Sequence, residues 1–294
     1  FSAAYFLGPP LSHEGRLYCI ADWRGETRLL VLDPENGQPL WSQQLCSNQG
    51  RTLDLTRRSQ AISPTISDGI IVCPTGAGAV AAVDLLTRQL RWLVSYASVE
   101  ARRGQLRGGA FYPTAGSFDP LADRWNDNTL IAKDGLVAIS PVEQDIYFVR
   151  NLLTGQPVLG RRKRDFGRYI AGFEGRRLII VGKRSVYCLD IDKQSILWDQ
   201  SFPESRMLAG KSLWMKDSLL IPLTGNTLAR FSKETGQLIE QATVDLPVGN
   251  LFSHQSNLIS VSATDVSIYY TRDQLSDTVL ERLARDENDI EALN

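Results

Sequence analysis

Histidine and methionine are nearly absent, at two residues each in 294. With only His13 and His254, and no Gly-x-Ser-x-Gly element, the chain offers little for hydrolytic acid–base chemistry. Cysteine is scarce too: Cys19, Cys46, Cys73 and Cys188 form neither a Cys-x-x-Cys nor an adjacent pair. That spacing argues against a zinc site, and four cysteines are too few for a disulfide framework in a chain this long. Cys19, Cys73 and Cys188 fall inside apolar runs and read as small buried hydrophobes. No run of about 18 apolar residues is present, so no helical membrane span is expected. The formal net charge is −1, which provides no global field toward nucleic acid or an anionic bilayer. The chain starts at Phe1 without an initiator Met or signal peptide and is expected to be a fragment or processed chain, monomeric as such.

What is present is a repeated phrase. Residues 31–41 read VLDPENGQPLW, 83–92 read VDLLTRQLRW and 189–198 read LDIDKQSILW. Asp33, Asp84 and Asp190 each precede a tryptophan, Trp41, Trp92 and Trp198, by eight residues. Two copies keep the frame without Trp, from Asn151 to Leu159 and from Ser232 to Glu240. Each phrase is strand, turn, strand: Asp accepts hydrogen bonds from backbone ahead of it, and Gly37, Gly155 or Gly236 supplies a positive φ. A second hairpin precedes each, marked by Glu14-Gly15, Asp68-Gly69, Asp134-Gly135, Glu174-Gly175 and Lys216-Asp217 before apolar runs. Two hairpins make four short antiparallel strands per unit. The frame positions 33, 84, 151, 190 and 232 are 51, 67, 39 and 42 residues apart, and the last two intervals match the roughly 40–45 residues of a propeller blade. Insertions at about 46–61 and about 93–126 lengthen the first two. A sixth, degenerate unit runs through Leu258–Val261 and Asp265–Tyr270.

A lone four-stranded sheet leaves two apolar faces bare; packing copies against one another buries both. The predicted fold is all-β: a β-propeller of about six four-stranded blades over residues 1–271. A Trp ending the third strand is expected to fill the wedge between blades, and Ser2–Phe6 to supply the outer strand of the last blade. Residues 272–294 change period: Leu275, Val279 and Leu283 fall at i, i+4 and i+8 behind Asp273 as N-cap, predicting a short C-terminal helical segment.

From Gly15-Arg16-Leu17-Tyr18 through Val31-Leu32-Asp33, Gly37, Leu40 and Trp41, the unit resembles the PQQ-like β-propeller repeat of quinoprotein alcohol dehydrogenases. The likeness covers most of residues 8–271, unevenly. With the helical tail it resembles large planctomycete-type proteins in which such a propeller precedes tetratricopeptide repeats. The resemblance implies an extracytoplasmic setting. Enzymes of the family hold a quinone with a stacked Trp, a catalytic Asp, Ca²⁺ ligands and often a disulfide between adjacent cysteines. This chain is shorter than those eight-bladed enzymes and has no adjacent cysteines, so neither PQQ nor Ca²⁺ is expected as cofactor and no catalytic or metal residue is assigned. Glu143 and Asp145 could ligate a metal, but read equally as a turn.

Candidate binding residues lie in inter-blade segments. Arg102, Arg103 and Arg107, with Phe111, Tyr112 and Trp125, fall in the second insertion; Arg161, Arg162 and Arg164 fall between the third and fourth units. Such clusters are ordinarily solvated loop charge; the functional expectation is that they converge at one mouth of a channel. The aromatics could form a lid or partner patch, or plug the hub. The leading reading is a non-catalytic scaffold that binds a protein partner or an adjacent domain of the same chain, not nucleic acid. The alternatives are a PQQ/Ca²⁺-dependent oxidoreductase, and carbohydrate or polyanion binding through the loops.

Overall fold

The computed structural model describes residues 4–47, 61–96, 129–141, 144–165, 167–255, 257–269 and 284. The described residues form six antiparallel sheets of propeller-blade type. The first contains β1 (Tyr5–Phe6), β2 (Leu11–His13), β3 (Arg16–Trp23), β4 (Glu26–Leu32) and β5 (Pro39–Ser47). The second runs β6 (Thr65–Ser67), β7 (Ile70–Pro74), β8 (Ala79–Asp84) and β9 (Leu90–Ser95). The third runs β10 (Thr129–Lys133), β11 (Leu136–Ser140), β12 (Ile146–Asn151) and β13 (Pro157–Lys163). In the fourth are β14 (Gly167–Glu174), β15 (Arg177–Gly182), β16 (Ser185–Asp190) and β17 (Ser195–Ser201). The fifth holds β18 (Leu213–Trp214), β19 (Ser218–Leu223), β20 (Thr227–Ser232) and β21 (Leu238–Thr243). The sixth has three described strands, β22 (Asn250–His254), β23 (Asn257–Val261) and β24 (Val266–Tyr269). In the second to sixth sheets spatial order follows chain order, so hairpins alone connect the strands.

The chain divides into two compact units, Phe1–Val181 with Leu189–Ser195, and Gly182–Cys188 with Ile196–Asn294. In the first unit the strand period decides which sheet meets which. Ile71, Cys73, Ala81 and Val83 of the second sheet join Tyr18, Ile20, Leu29 and Val31 of the first in one buried cluster. The alternate residues Ile70, Val72, Val80 and Ala82 join Val137, Ile139 and Phe148 of the third sheet in another. Successive strand residues face opposite ways, so a continuous apolar run such as Ile70-Ile71-Val72-Cys73 belongs to a sheet buried on both sides. Each fully buried aliphatic side chain contributes roughly 1.5–3 kcal/mol, which a solitary sheet would forfeit on both faces. In the second unit Leu228, Val248 and Leu251, with Leu213, Leu220 and Leu258 at the margin, bind the fifth sheet to the sixth.

Three expectations change. Tyr5 and Phe6 pair with Asp22 and Ala21 of β3, so they extend the first sheet's inner edge rather than closing the last blade. Leu7 continues that edge by accepting from the Ile62 N–H at 2.9 Å, with Gly8 so near Ile62 that a Cβ would meet its carbonyl oxygen at 2.2 Å. The tryptophans lie in fourth strands, not at the ends of third strands: Trp41 in β5, Trp92 in β9 and Trp198 in β17. The fourth strand is the one whose side chains reach the next turn. The helical segment at 272–294 and the boundary at 271 lie outside the described residues, Ala284 excepted, and the helix is not supported.

Candidate interface on the insertion-bearing end of the first unit

The repeated turn is one structure built several times. At Asp33 the backbone N–H donates to Gln38 O and the carbonyl accepts from Gly37 N–H; Asp84 does the same with Gln89 and Arg88, Asn151 with Gln156 and Gly155, and Ser232 with Gln237 and Gly236. The first side chain of the turn caps it. Asp84 accepts from the N–H groups of Leu86 and Thr87 at 3.0 and 2.9 Å, Asn151 from Leu153 and Thr154, and Asp190 from Asp192 and Lys193. The Thr87 bond, then that of Leu86 and the charge of Arg91, hold the Asp84 carboxyl below the ordinary range. The fifth residue has positive φ, +68° at Gly37 and Gly155, +61° at Arg88 and +55° at Gln194.

Each fourth-strand Trp leans on the next copy of this turn. Trp92 lies against Gly155, where a Cβ would come within 2.7 Å of the indole Cγ, and its Nε1–H donates to Leu152 O at 2.8 Å. Trp198 meets Gly236 in the same way within the second unit, at 2.4 Å from Cε3. Trp41 faces Arg88, whose guanidinium stands 5.8 Å from the ring centroid. Trp41, Trp92 and Trp198 thus each pack against the turn of the following sheet. Where Trp is missing, Leu159 is fully buried and Glu240 instead pairs with Arg230 at 3.1 Å.

These contacts orient the sheets of the first unit. Because each Trp, a few residues past its own Asp turn, touches the Asp turn of the next sheet, these turns share one end of the strands. The polar-Gly turns lie there too: Leu85 N–H donates to Gly69 O, and Leu152 N–H to Gly135 O. Antiparallel order sends every other connection to the opposite end. That end carries the β3–β4 tip at Arg24-Gly25, the β7–β8 turn, and the departure and return of both long connections, after Ser47 and after Tyr96. The β7–β8 turn is a hairpin closed by Thr75: Thr75 Oγ1 donates to Ala79 O at 2.8 Å and accepts from Ala77 N–H. At the neighbouring tip the exposed Arg24 guanidinium lies 4.6 Å from the Trp23 ring centroid, and Arg28 pairs with Glu26 at 2.5 Å. Repeat spacing does not single out Trp23 and Arg24; the readable signal is Trp-Arg-Gly at a two-residue hairpin turn.

Among the described basic candidates, Arg161, Arg162 and Arg164 have separate partners. Arg161 and Arg162 are consecutive in β13 and so diverge: Arg161 donates to Ser95 O at 3.0 Å, and Arg162 to Gln194 Oε1 at 2.6 Å. Arg164 is only 3% exposed and donates to the carbonyls of Ser140 and Pro141 at 2.7 and 2.9 Å. It is a structural cation, because the chain bends inward after β13 and uses the guanidinium to satisfy two loop carbonyls. Arg102, Arg103, Arg107, Phe111, Tyr112 and Trp125 lie outside the described residues, as does Glu143. Among the described residues no cluster of three His, Cys, Asp or Glu could hold a metal. All four thiols are free, and burial pushes those of Cys19 and Cys73 up, away from reactivity. No helix among the described residues is long and apolar enough to cross a membrane.

Residues 2–108 match the family model described as PQQ_2, outer membrane protein assembly factor BamB. No curated protein matches the chain. Among solved structures, BamB from Moraxella catarrhalis is 13% identical, with 91% of this chain and 83% of that one covered at a TM-score of 0.49. The computationally designed Ika8 protein is 15% identical, with 89% and 82% covered at 0.47.

Proposed function

We propose, from the likeness of residues 2–108 to a family described by outer membrane protein assembly, that this chain is a non-catalytic scaffold holding a protein partner or adjacent domain in an extracytoplasmic assembly. The single observation that carries the reading is the division of labour between the two ends of the first unit. One end is consumed by short turns that bond to themselves and to neighbouring blades. The other carries the Trp23–Arg24 tip and the strand ends after Ser47 and Ser95 from which the two long connections depart, and Trp and Arg are among the side chains most enriched in binding hot spots.

The test is a photo-crosslinking residue at Arg24, compared with one at Glu35 on the Asp-turn end, in native envelope extracts. The reading expects one defined adduct from position 24 and none from position 35. Adducts from position 35 alone, or from neither, would refute it. It also expects no dye reduction with alcohols or sugars after PQQ and Ca²⁺ are added; turnover there would establish the oxidoreductase alternative instead.

A further inference from the structure

The third sheet departs from the other copies at one position of the repeat. The residue before the turn head is Leu32, Val83, Leu189 or Phe231 elsewhere, and Arg150 here. Arg150 and Val83 hold the same place in their ladders, opposite Pro157 and Leu90 after a register shift. Val83 is fully buried in the apolar cluster shared with the preceding sheet. Arg150 is half-buried, with its guanidinium 5.5 Å from the Phe148 ring centroid and Nη1 donating to Gly155 O at 3.1 Å. Packing alone would keep an apolar side chain at such a place, and a cation withdrawn from water calls for an anionic partner.

Strand β13 brings a second cation to the same face. Its register against β12 shifts twice, so Tyr147 to Val149 is matched by Arg162 to Leu159. The extra residue reverses the alternation. Arg162 stands opposite Tyr147, while Arg161 takes the face of Phe148 and Arg150 and reaches toward the second sheet, where its Nη2 donates to Ser95 O at 3.0 Å. Burial first, and then the charge of Arg161, hold the Arg150 guanidinium below its ordinary pKa. Neither arginine forms an ion pair with a carboxylate among the described residues. Each spends one N–H on a neutral carbonyl, and Arg150 Nε is buried without an acceptor among the described residues. A guanidinium has five N–H donors, so most of the capacity of the pair is unused.

The charge balance selects the ligand. A carboxylate would offset one of the two cations. A tetrahedral dianion offsets both and has oxygens enough for two planar forks. We propose that Arg150 and Arg161 form a binding site for a phosphate- or sulfate-type dianion in the wedge between the second and third sheets. Arg161 is exposed, so the site opens to solvent and admits either the free ion or an ester group carried on a larger molecule. The site stands apart from the Trp23–Arg24 tip and does not depend on the scaffold reading.

Isothermal titration of the whole chain with inorganic phosphate, at a pH where phosphate is doubly charged and at constant ionic strength, tests the site. Saturable binding is expected, weakened roughly tenfold by Arg161→Gln, since that variant removes a charge-assisted hydrogen bond. Arg162→Gln, on the opposite face of the same strand, should bind like the natural chain. Thermal unfolding in sulfate against chloride provides a second readout. Sulfate stabilises proteins generally, so the expected result is a larger gain for the natural chain than for Arg161→Gln. Tighter binding of methyl phosphate than of phosphate would assign the site to an ester, and the reverse to the free ion. No saturable binding, or equal binding by the natural chain and Arg161→Gln, overturns the proposal.

Discussion

Replacing Gly155 by alanine separates two costs that the repeated turn combines. Gly37 and Gly155 hold the same place in the turn with the same φ of +68°, yet a Cβ on Gly37 meets nothing within 4 Å and one on Gly155 meets Trp92 Cγ at 2.7 Å. Gly37→Ala therefore reports only the left-handed backbone, about 1 kcal/mol. Gly155→Ala adds displacement of a nearly buried indole, about 1–3 kcal/mol for overpacking, and strain on the Trp92–Leu152 hydrogen bond, whose net value is about 1 kcal/mol. The expected loss is about 3 kcal/mol against about 1 for the control, from the sum of those contributions. Equilibrium urea unfolding, followed by fluorescence and far-UV circular dichroism together, measures the difference, provided the two transitions coincide. Trp92→Ala alone should cost about 3–5 kcal/mol. In that background Gly155→Ala should fall to the value of Gly37→Ala, leaving a coupling of about 2 kcal/mol. Equal midpoint shifts for the two alanine variants, or no coupling to Trp92, would refute the claim that the indole leans on the next turn.

Further outcomes follow from the same geometry. Arg164→Ala should destabilise by about 2–4 kcal/mol, because two carbonyls lose a charged donor, whereas Arg161→Ala should cost at most about 1 kcal/mol; thermal unfolding distinguishes them, and equal effects would place Arg164 at the surface. Arg88→Gly and Arg88→Ala both remove the guanidinium from Trp41, but only alanine keeps the left-handed strain, so the glycine variant should be more stable by about 1 kcal/mol in urea titrations. The lowered Asp84 pKa gives stability that is fully present above its unfolded value near 4 and lost as pH falls through its lower folded value. Asp84→Asn should thus be less stable than the natural chain at neutral pH, with the gap closing in acid; a gap independent of pH would contradict the turn-capping role.

Much of the architecture was legible because it repeats. Asp33, Asp84 and Asn151 open the same turn in three sheets, and spacing along the chain exposes that without any knowledge of contacts. The unbroken apolar run Ile70-Ile71-Val72-Cys73 likewise announces a sheet buried on both sides. Arg164 was not legible: Arg161-Arg162-Lys163-Arg164 reads as one basic cluster, and only the strand pleat and the bend after β13 separate its members. Tyr5 and Phe6 misled because an unpaired strand can join any open edge, and no local property distinguishes β3 from a strand of the last blade.

Sequence by itself determined the unit: four short strands, the Asp-headed turn, its positive-φ fifth residue and the tryptophan eight places on. Those features depend on dihedral preferences and hydrogen bonds within a few residues, and local chemistry suffices to settle them. Tertiary structure alone decided that Trp92 rests on Gly155, that Arg164 turns inward, and that the strand ends flanking both long connections of the first unit share an end with Trp23 and Arg24. Each of those facts joins residues distant in the chain through packing of one sheet on another, a relation that spacing along a single strand of text does not contain.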